Sequence, residues 1–247
     1  MRYALISDIH GNLPALEAVL KSIAVGPGIA ATFHLGDLVG YGPWPNETIS
    51  LLRGFRIAGI QGNHDATVAL AGADGRAPAD RAPTHAEWTA RETTAANKAL
   101  LAELPYRMDL RPGGGHLTGP SVIMVHGTPE GSERYWYADE AESFFREMAR
   151  LAGARAGDVV CCGHTHLPWH RELDGIHFVN TGSVGRPKDG DWRAGYVVVT
   201  VGDGKPTVEF VRVEYDVEST AAAIRASELP DELAEYLLRG GEQKAPI

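Results

Sequence analysis

Short apolar runs recur along the chain, and each leads into a polar cluster of Asp, Asn, His and Gly. Tyr3-Ala4-Leu5-Ile6 precedes Asp8-Ile9-His10, Ala31-Thr32-Phe33-His34-Leu35 precedes Gly36-Asp37-Leu38-Val39-Gly40, and Ile57-Ala58-Gly59-Ile60 precedes Gly62-Asn63-His64-Asp65. Further on, Val122-Ile123-Met124-Val125 precedes His126-Gly127, and Val159-Val160-Cys161-Cys162 precedes Gly163-His164-Thr165-His166. Apolar runs this short, without polar alternation, read as buried strands. Between the first two, Leu16, Val19, Leu20 and Ile23 fall at helical spacing, with Pro14 in the first turn and Gly26-Pro27-Gly28 as the break. Asn46 is placed to cap a second helix through Arg53. This βαβαβ order predicts right-handed crossovers and a sheet covered on both faces. The carboxyl ends of its strands share one edge, where α/β folds bind ligands, so residues roughly 150 positions apart converge there.

Residues 66–83, rich in Ala, Gly, Asp and Pro, read as a loop with at most one short helix. Thr84 to Leu104 reads as a single helix, with Thr84 as N-cap, Glu87 three residues later and Pro105 as the stop. The stretch interrupts the strand alternation, so residues 66–105 are expected to form a helical cap inserted within one domain spanning residues 1–247. Strands are expected at 106–110 and 121–125, antiparallel strands at 169–180, 194–201 and 207–213, and helices at 139–151, 217–225 and 230–238.

Composition narrows the class. The chain has 247 residues, 44% apolar and 22% charged, ordinary for a soluble globular domain. Its net charge of −9, with no block of Lys or Arg, argues against a nucleic-acid duplex as partner. An anionic substrate would then be drawn by local metal ions, not by the overall field. No apolar run is long enough to span a membrane, and Met1 to Ile6 is too short for a signal peptide before Asp8. Cys161 and Cys162 sit side by side in a strand and point to opposite faces, which reads as two buried thiols in a reducing compartment. The expected location is cytoplasmic.

The polar clusters carry metal chemistry. Asp8 and His10, two apart at a strand end, face one side if the strand stays regular. Asp37 has two carboxylate oxygens, so it can bridge a metal pair at roughly 3.5–4 Å. Asn63 offers a neutral carbonyl oxygen, while His126, His164 and His166 supply nitrogen and shift the preference toward Mn, Fe or Zn. Asp-x-His or Gly-Asp alone is common in any protein. All five clusters in order, each behind a strand, point to two divalent metals and hydrolysis of phosphate esters.

The ordered motifs resemble the calcineurin-like metallophosphoesterase superfamily, whose pattern is Asp-x-His, Gly-Asp, Gly-Asn-His-Asp/Glu, a later His and Gly-His-x-His. They cover residues 5–166. Within the superfamily the chain looks most like the bacterial and archaeal stand-alone phosphoesterases, in which the stretches Gly36 to Gly42 and Asn180 to Gly185 are familiar. The resemblance implies an α/β fold: a four-layer α/β/β/α sandwich of two mixed sheets flanked by helices. It implies that Asp8, His10, Asp37 and His166 hold one metal, and that Asp37, Asn63, His126 and His164 hold the other. The ions expected are Mn and/or Fe, with Zn, Ni and Co open. His64 would donate a proton or hydrogen bond to the leaving group or a phosphoryl oxygen while a metal-bridging hydroxide attacks in line. One departure matters. Serine/threonine protein phosphatases of the superfamily carry Gly-Asp-x-x-Asp-Arg-Gly, and here Gly40 and Tyr41 replace the second Asp and the Arg. Small phosphate esters are therefore expected over phosphoproteins.

Arg186, in the loop after Asn180 to Gly185, is a candidate to hold a substrate phosphate, against the alternative of a solvated surface residue. Tyr135, in the run Tyr135-Trp136-Tyr137, and Tyr41, with Trp44, are candidates to stack on a substrate ring, against ordinary packing. His34, His85, His116, His170 and His177 match no ligand position. A phosphomonoesterase, a nucleotide phosphodiesterase and a dinucleoside polyphosphate hydrolase remain open, because all three use the same ligands. The intact ligand set argues against a non-catalytic scaffold, and the acidic balance against a nuclease.

Overall fold

The computed structural model describes residues 1–71, 82–111, 119–202 and 204–241, and within them lie two five-stranded sheets. The first is ordered β10 (Thr207–Val213), β9 (Ala194–Thr200), β1 (Arg2–Ile6), β2 (Ile29–His34) and β3 (Ala58–Gly59). The second is ordered β4 (Arg107–Leu110), β5 (Val122–Val125), β6 (Val159–Cys162), β8 (Ile176–Asn180) and β7 (Trp169–Leu173). Strands β1, β2 and β3 run parallel, as do β5, β6 and β8. Their neighbours β9, β10, β4 and β7 are antiparallel, so both sheets are mixed.

Strand alternation divides the core into layers. Tyr3 and Leu5 face the second sheet, where they meet Val122, Met124, Val159 and Cys161. Ala4 and Ile6 face the other way, onto α1 (Leu13–Val25) and α2 (Pro45–Gly54). In the second sheet, Ile123, Val125, Val160 and Cys162 turn outward onto α6 (Glu142–Ala152). The result is the expected α/β/β/α order. Cys161 and Cys162 serve different layers and both are free thiols. Among the described residues, no helix is long and apolar enough to cross a membrane.

Several boundaries differ from the sequence reading, each for a local reason. The helix expected through Arg53 starts at Pro45 with Trp44 in the cap position, so Asn46 lies inside it and uses its side chain elsewhere. A helix not anticipated at this position, α3 (Asn63–Leu70), begins directly at the third motif, where the Asp65 side chain accepts from Gly62 N. The stretch from Thr84 to Leu104 is two helices, α4 (His85–Glu92) and α5 (Ala95–Glu103). Thr84 does cap the first through a reciprocal bond with Glu87. The break follows because Thr93 is extended and Thr94 caps α5 by accepting from Asn97 N at 3.3 Å. Asn46 Oδ1 secures this break, accepting from Thr94 N at 3.0 Å and from Asn97 Nδ2 at 2.8 Å. The C-terminal helices α7 (Val217–Arg225) and α8 (Glu232–Leu238) pack with Trp88 of α4 around Ala221, Ile224 and Leu237. Within the loop expectation for 66–83, residues 72–81 lie outside the described residues, as does His116.

Candidate metal centre

The five motifs meet where the carboxyl ends of the parallel strands of both sheets converge. The loops after β1 and β2 are laced together: Ile9 N and His10 N both donate to Asp37 O, at 2.8 and 3.0 Å, and Gly11 N donates to Leu38 O at 2.9 Å. Glycine lets the third and fifth motifs close in. A Cβ on Gly62 would stand 2.1 Å from Asp37 Oδ1, and one on Gly163 would stand 2.2 Å from Ser7 Oγ. The site also departs from regular strand geometry. Asp8, His10, Asp37, Tyr41, His164 and His166 all hold φ between 50° and 64°. This left-handed region costs a non-glycine residue on the order of 1 kcal/mol, and it persists only where the surroundings over-determine it. The expectation that Asp8 and His10 share a face through strand alternation is thus met by other means, a tight left-handed turn.

Two three-residue groups result. Ligand atoms of Asp8, His10 and His166 lie within 4.8 Å of one another, as do those of Asp37, His126 and His164, and all six residues are buried. His10 Nε2 lies 3.7 Å from Asp37 Oδ2, so Asp37 stands between the groups. Asn63 Oδ1 is 3.0 Å from His126 Nε2, which brings the seventh expected ligand to the second group.

Hydrogen bonding fixes which atoms face inward. His10 Nδ1 lies 3.0 Å from Val39 O, His126 Nδ1 2.7 Å from Leu35 O, and His166 Nδ1 2.5 Å from Arg186 O. A carbonyl only accepts, so each Nδ1 carries the proton and Nε2 is the inward nitrogen. His164 is reversed: its Nε2 donates to Glu133 O at 3.2 Å, leaving Nδ1 for the site. Each carboxylate likewise spends one oxygen on the backbone, Asp8 Oδ2 accepting from His164 N and Asp37 Oδ1 from His64 N. The other oxygens, Asp8 Oδ1 and Asp37 Oδ2, are buried without a hydrogen-bond partner.

Around the first group the inward atoms crowd together. His10 Nε2 and His166 Nε2 stand 3.2 Å apart, and Asp8 Oδ1 lies 3.2 Å from His166 Nε2. With Nδ1 of both rings committed to a carbonyl, two neutral imidazoles would bring lone pairs together there with no hydrogen between them. Burying such atoms is costly unless a cation joins them. The donor set of Asp, Asn and His therefore fits metal ions. Burial favours the neutral His10, pushing its imidazole well below the ordinary range, and burial with the charge of His126 brings His164 down to about 4. His126 behaves oppositely. Burial disfavours its cation, but the Asp37 and Asp8 charges prevail and raise it to about 10.

His64 does not join either ligand group. Its ring lies 5.1 Å from His10, 4.9 Å from Tyr41 and 5.6 Å from His85. A Cβ on Gly40 would stand 3.0 Å from His64 Nδ1, so the missing Asp of the protein-phosphatase pattern corresponds to an absent neighbour of this ring. Tyr41 replaces the missing Arg, yet a guanidinium is present beside it: Arg186 Cζ lies 4.0 Å over the Tyr41 ring, with Tyr236 4.1 Å from Cζ. Tyr135 stacks at 4.3 Å on His164 and remains half-exposed, while Trp136 is buried in the core against α6.

Sequence reasoning missed four contributors. Asp65 accepts from Leu38 N at 2.8 Å and so ties the second motif to the third. Ser183 Oγ donates to Asp8 O and accepts from Arg186 N, joining that loop to the first motif. His85 stacks on Tyr41 at 3.9 Å, and Tyr236 of α8 reaches Arg186. Asp65 was visible as part of its motif. Ser183 lay within the stretch Asn180 to Gly185, while His85 and Tyr236 are tied to the site only by tertiary contact, and no local spacing marks them.

The calcineurin-like phosphoesterase superfamily domain matches residues 1–204, and the chain belongs to that superfamily of metal-dependent phosphoric ester hydrolases. An uncharacterised protein of Methanocaldococcus jannaschii is 33% identical to it over 258 residues, covering 96% of this chain and 97% of that protein. The phosphodiesterase YfcE of Escherichia coli is 26% identical over 201 residues, covering 77% and 83%. A crystal structure of a metallophosphoesterase from Sphaerobacter thermophilus superposes with a TM-score of 0.79 at 31% identity, over 97% of this chain and 100% of that one.

Proposed function

We propose that the chain is a dinuclear metal phosphoesterase acting on small phosphate esters. The observation that carries this reading is the convergence of buried ligand atoms, from Asp8, His10 and His166 and from Asp37, His126 and His164, on two neighbouring points, with Asp8 Oδ1 and Asp37 Oδ2 left without a hydrogen-bond partner. Asp8, His10, Asp37 and His166 would hold one ion, and Asp37, Asn63, His126 and His164 the other. The mixed oxygen and nitrogen set suits Mn or Fe, with Zn, Ni or Co as alternatives. Bound there, a metal pair supplies an acidified water and neutralises phosphoryl charge.

The chain's own groups do the rest. His64, outside both ligand groups and caged by three rings, donates to the leaving-group oxygen. Arg186, its faces covered by Tyr41 and Tyr236, offers its N–H edge to a phosphoryl oxygen and takes the place of the Arg missing at position 41. The half-exposed Tyr135 ring beside His164 forms a wall against which an aromatic ester can lie. The segment from about 66 to 105 acts as the cap, and its α4 brings His85 against Tyr41 at the rim. This aromatic rim makes a nucleotide phosphodiester the second reading, and the Escherichia coli relative carries phosphodiesterase in its name. The buried free thiols suit a cytoplasmic setting.

The test is hydrolysis of p-nitrophenyl phosphate and bis-p-nitrophenyl phosphate by metal-stripped protein, with Mn²⁺ added back, beside Asp37→Asn. Mn-dependent turnover that disappears in the variant supports the reading, and the ratio of the two rates separates monoesterase from diesterase. Protein that binds no metal overturns it.

A further inference from the structure

Two further histidines meet outside the candidate metal centre, at the edge of the second sheet, where β7 pairs antiparallel with β8. Strand alternation puts Trp169 and Leu173 against α6, with Arg171 over the Phe145 ring, so His170 and Glu172 turn to the opposite face, toward the first sheet. His177 of β8 shares that face, because Ile176 and Phe178 pack against α6 while Val179 packs between the sheets. The register sets His177 directly opposite Glu172, and His170 stands two residues before Glu172. Three side chains of metal-ligating type therefore hold neighbouring positions on one face of two paired strands. His170 Nε2 lies 2.9 Å from His177 Nδ1. His177 is buried, whereas His170 and Glu172 reach solvent, so the corner has an entry path.

A single shared proton satisfies the two nitrogens as they stand. The same separation also suits a metal. Two nitrogens, each about 2.0–2.1 Å from one zinc ion, stand about 2.9–3.4 Å apart when the angle between them is square to tetrahedral. Burial lowers the pKa of both imidazoles, so both are neutral near neutral pH and already in the form that coordinates. Glu172 supplies an anionic oxygen, and this corner already attracts a cation: Lys205 Nζ lies 2.7 Å from Glu172 Oε2. Glu172, His177 and Lys205 line one cleft. The Lys205 ammonium arrives on an exposed, flexible stem, so it can withdraw. Two imidazoles and one carboxylate make three protein ligands of a zinc tetrahedron, with water in the fourth position.

We propose that His170 Nε2, His177 Nδ1 and the Glu172 carboxylate form a separate site for one Zn²⁺ ion, which ties β7 to β8 at the edge of the second sheet. None of the three belongs to either ligand group of the candidate centre, and the site stands independently of the phosphoesterase reading. On binding, the ion displaces the Lys205 ammonium from Glu172. The proton shared by the two rings moves to the outer nitrogen of the ring that carried it, so both inward nitrogens present lone pairs to the metal.

The experiment dialyses the full chain against buffered free Zn²⁺ in the micromolar range and counts bound zinc per chain, beside His170→Gln. His170 is exposed, so this variant keeps the fold. The expected result is one zinc ion fewer in His170→Gln than in the wild type, with Mn-dependent turnover of bis-p-nitrophenyl phosphate equal in the two. Removing the competing ammonium in Lys205→Met should tighten binding of that ion by about tenfold, and Glu172→Gln should weaken it by a similar factor. Equal zinc counts in wild type and His170→Gln overturn the site. So does a turnover that falls together with the count, because the lost ion then belongs to the main centre. Zinc affinity unaltered in both Lys205→Met and Glu172→Gln overturns the three-ligand arrangement. The zinc count decides the matter even if the chain turns over no ester, so failure of the phosphoesterase reading is seen separately.

Discussion

At the scale of single residues, the charge state of the proposed ligand His126 sets a test of metal uptake. Without metal, Asp37 and Asp8 keep its imidazole protonated up to about pH 10, against the opposing effect of burial. A metal ligand must be neutral, so binding expels that proton at any pH below about 10, and affinity rises with pH across the neutral range. Titration calorimetry in buffers of different ionisation heat should register proton release, reduced in His126→Ala. His64 gives the complementary case. It lies beside Asn63 but outside both ligand groups, so His64→Ala should keep its metal content while kcat falls by about 10²–10⁴-fold, the usual contribution of a general acid. Equal loss of metal and turnover in that variant would reassign His64 as a ligand.

At the scale of elements, the joint between the core and the α4–α5 segment depends on one side chain. Asn46 of α2 accepts two hydrogen bonds across the break between the helices and donates to Glu92 O. Asn46→Ala should cost about 1–3 kcal/mol in urea unfolding, because Thr94 N and Asn97 Nδ2 lose their acceptor together. Trp88→Ala, which empties the contact of α4 with α7 and α8, should cost about 3–5 kcal/mol. The same segment marks where the sequence was readable and where it was not. The buried strands and their order were legible because apolar runs ending in ligand residues carry both signals at once. The helix break was hidden because Thr93-Thr94 does not interrupt a helical pattern by itself, and its fixing partner lies 48 residues away. The left-handed turns at Asp8, His10, Asp37 and His164 were invisible for a related reason. Tertiary hydrogen bonds impose them against the residues' own preferences. The residues of the two candidate groups could be picked out all the same, since chemistry constrains residue type even where backbone preference is overridden.

At the scale of the whole molecule, pH and metal act on one balance. His34 ends β2 fully buried, and burial lowers its imidazole to about 4. Above about pH 6.5 it is neutral in both folded and unfolded chains, so it makes no difference. Between 6.5 and 4 only the unfolded chain takes up the proton, and stability is lost as pH falls through that window. Urea unfolding of metal-loaded protein across this range should show the loss, and His34→Gln should flatten the slope by up to one proton. Chelation should lower the melting temperature at constant pH, since ions that bind only the folded chain stabilise it by mass action.

Each ligand group draws from both sheets: Asp8 and His10 follow β1 while His166 follows β6, and Asp37 follows β2 while His126 and His164 follow β5 and β6. Neither sheet alone can coordinate an ion with its full set. Metal capture is therefore expected late in folding, available only once the two sheets have docked face to face. In refolding from denaturant with Mn²⁺ present, ion uptake should lag the return of strand structure and coincide with burial of the interface between the sheets. An ion bound before that burial would mean that one sheet builds the centre unaided.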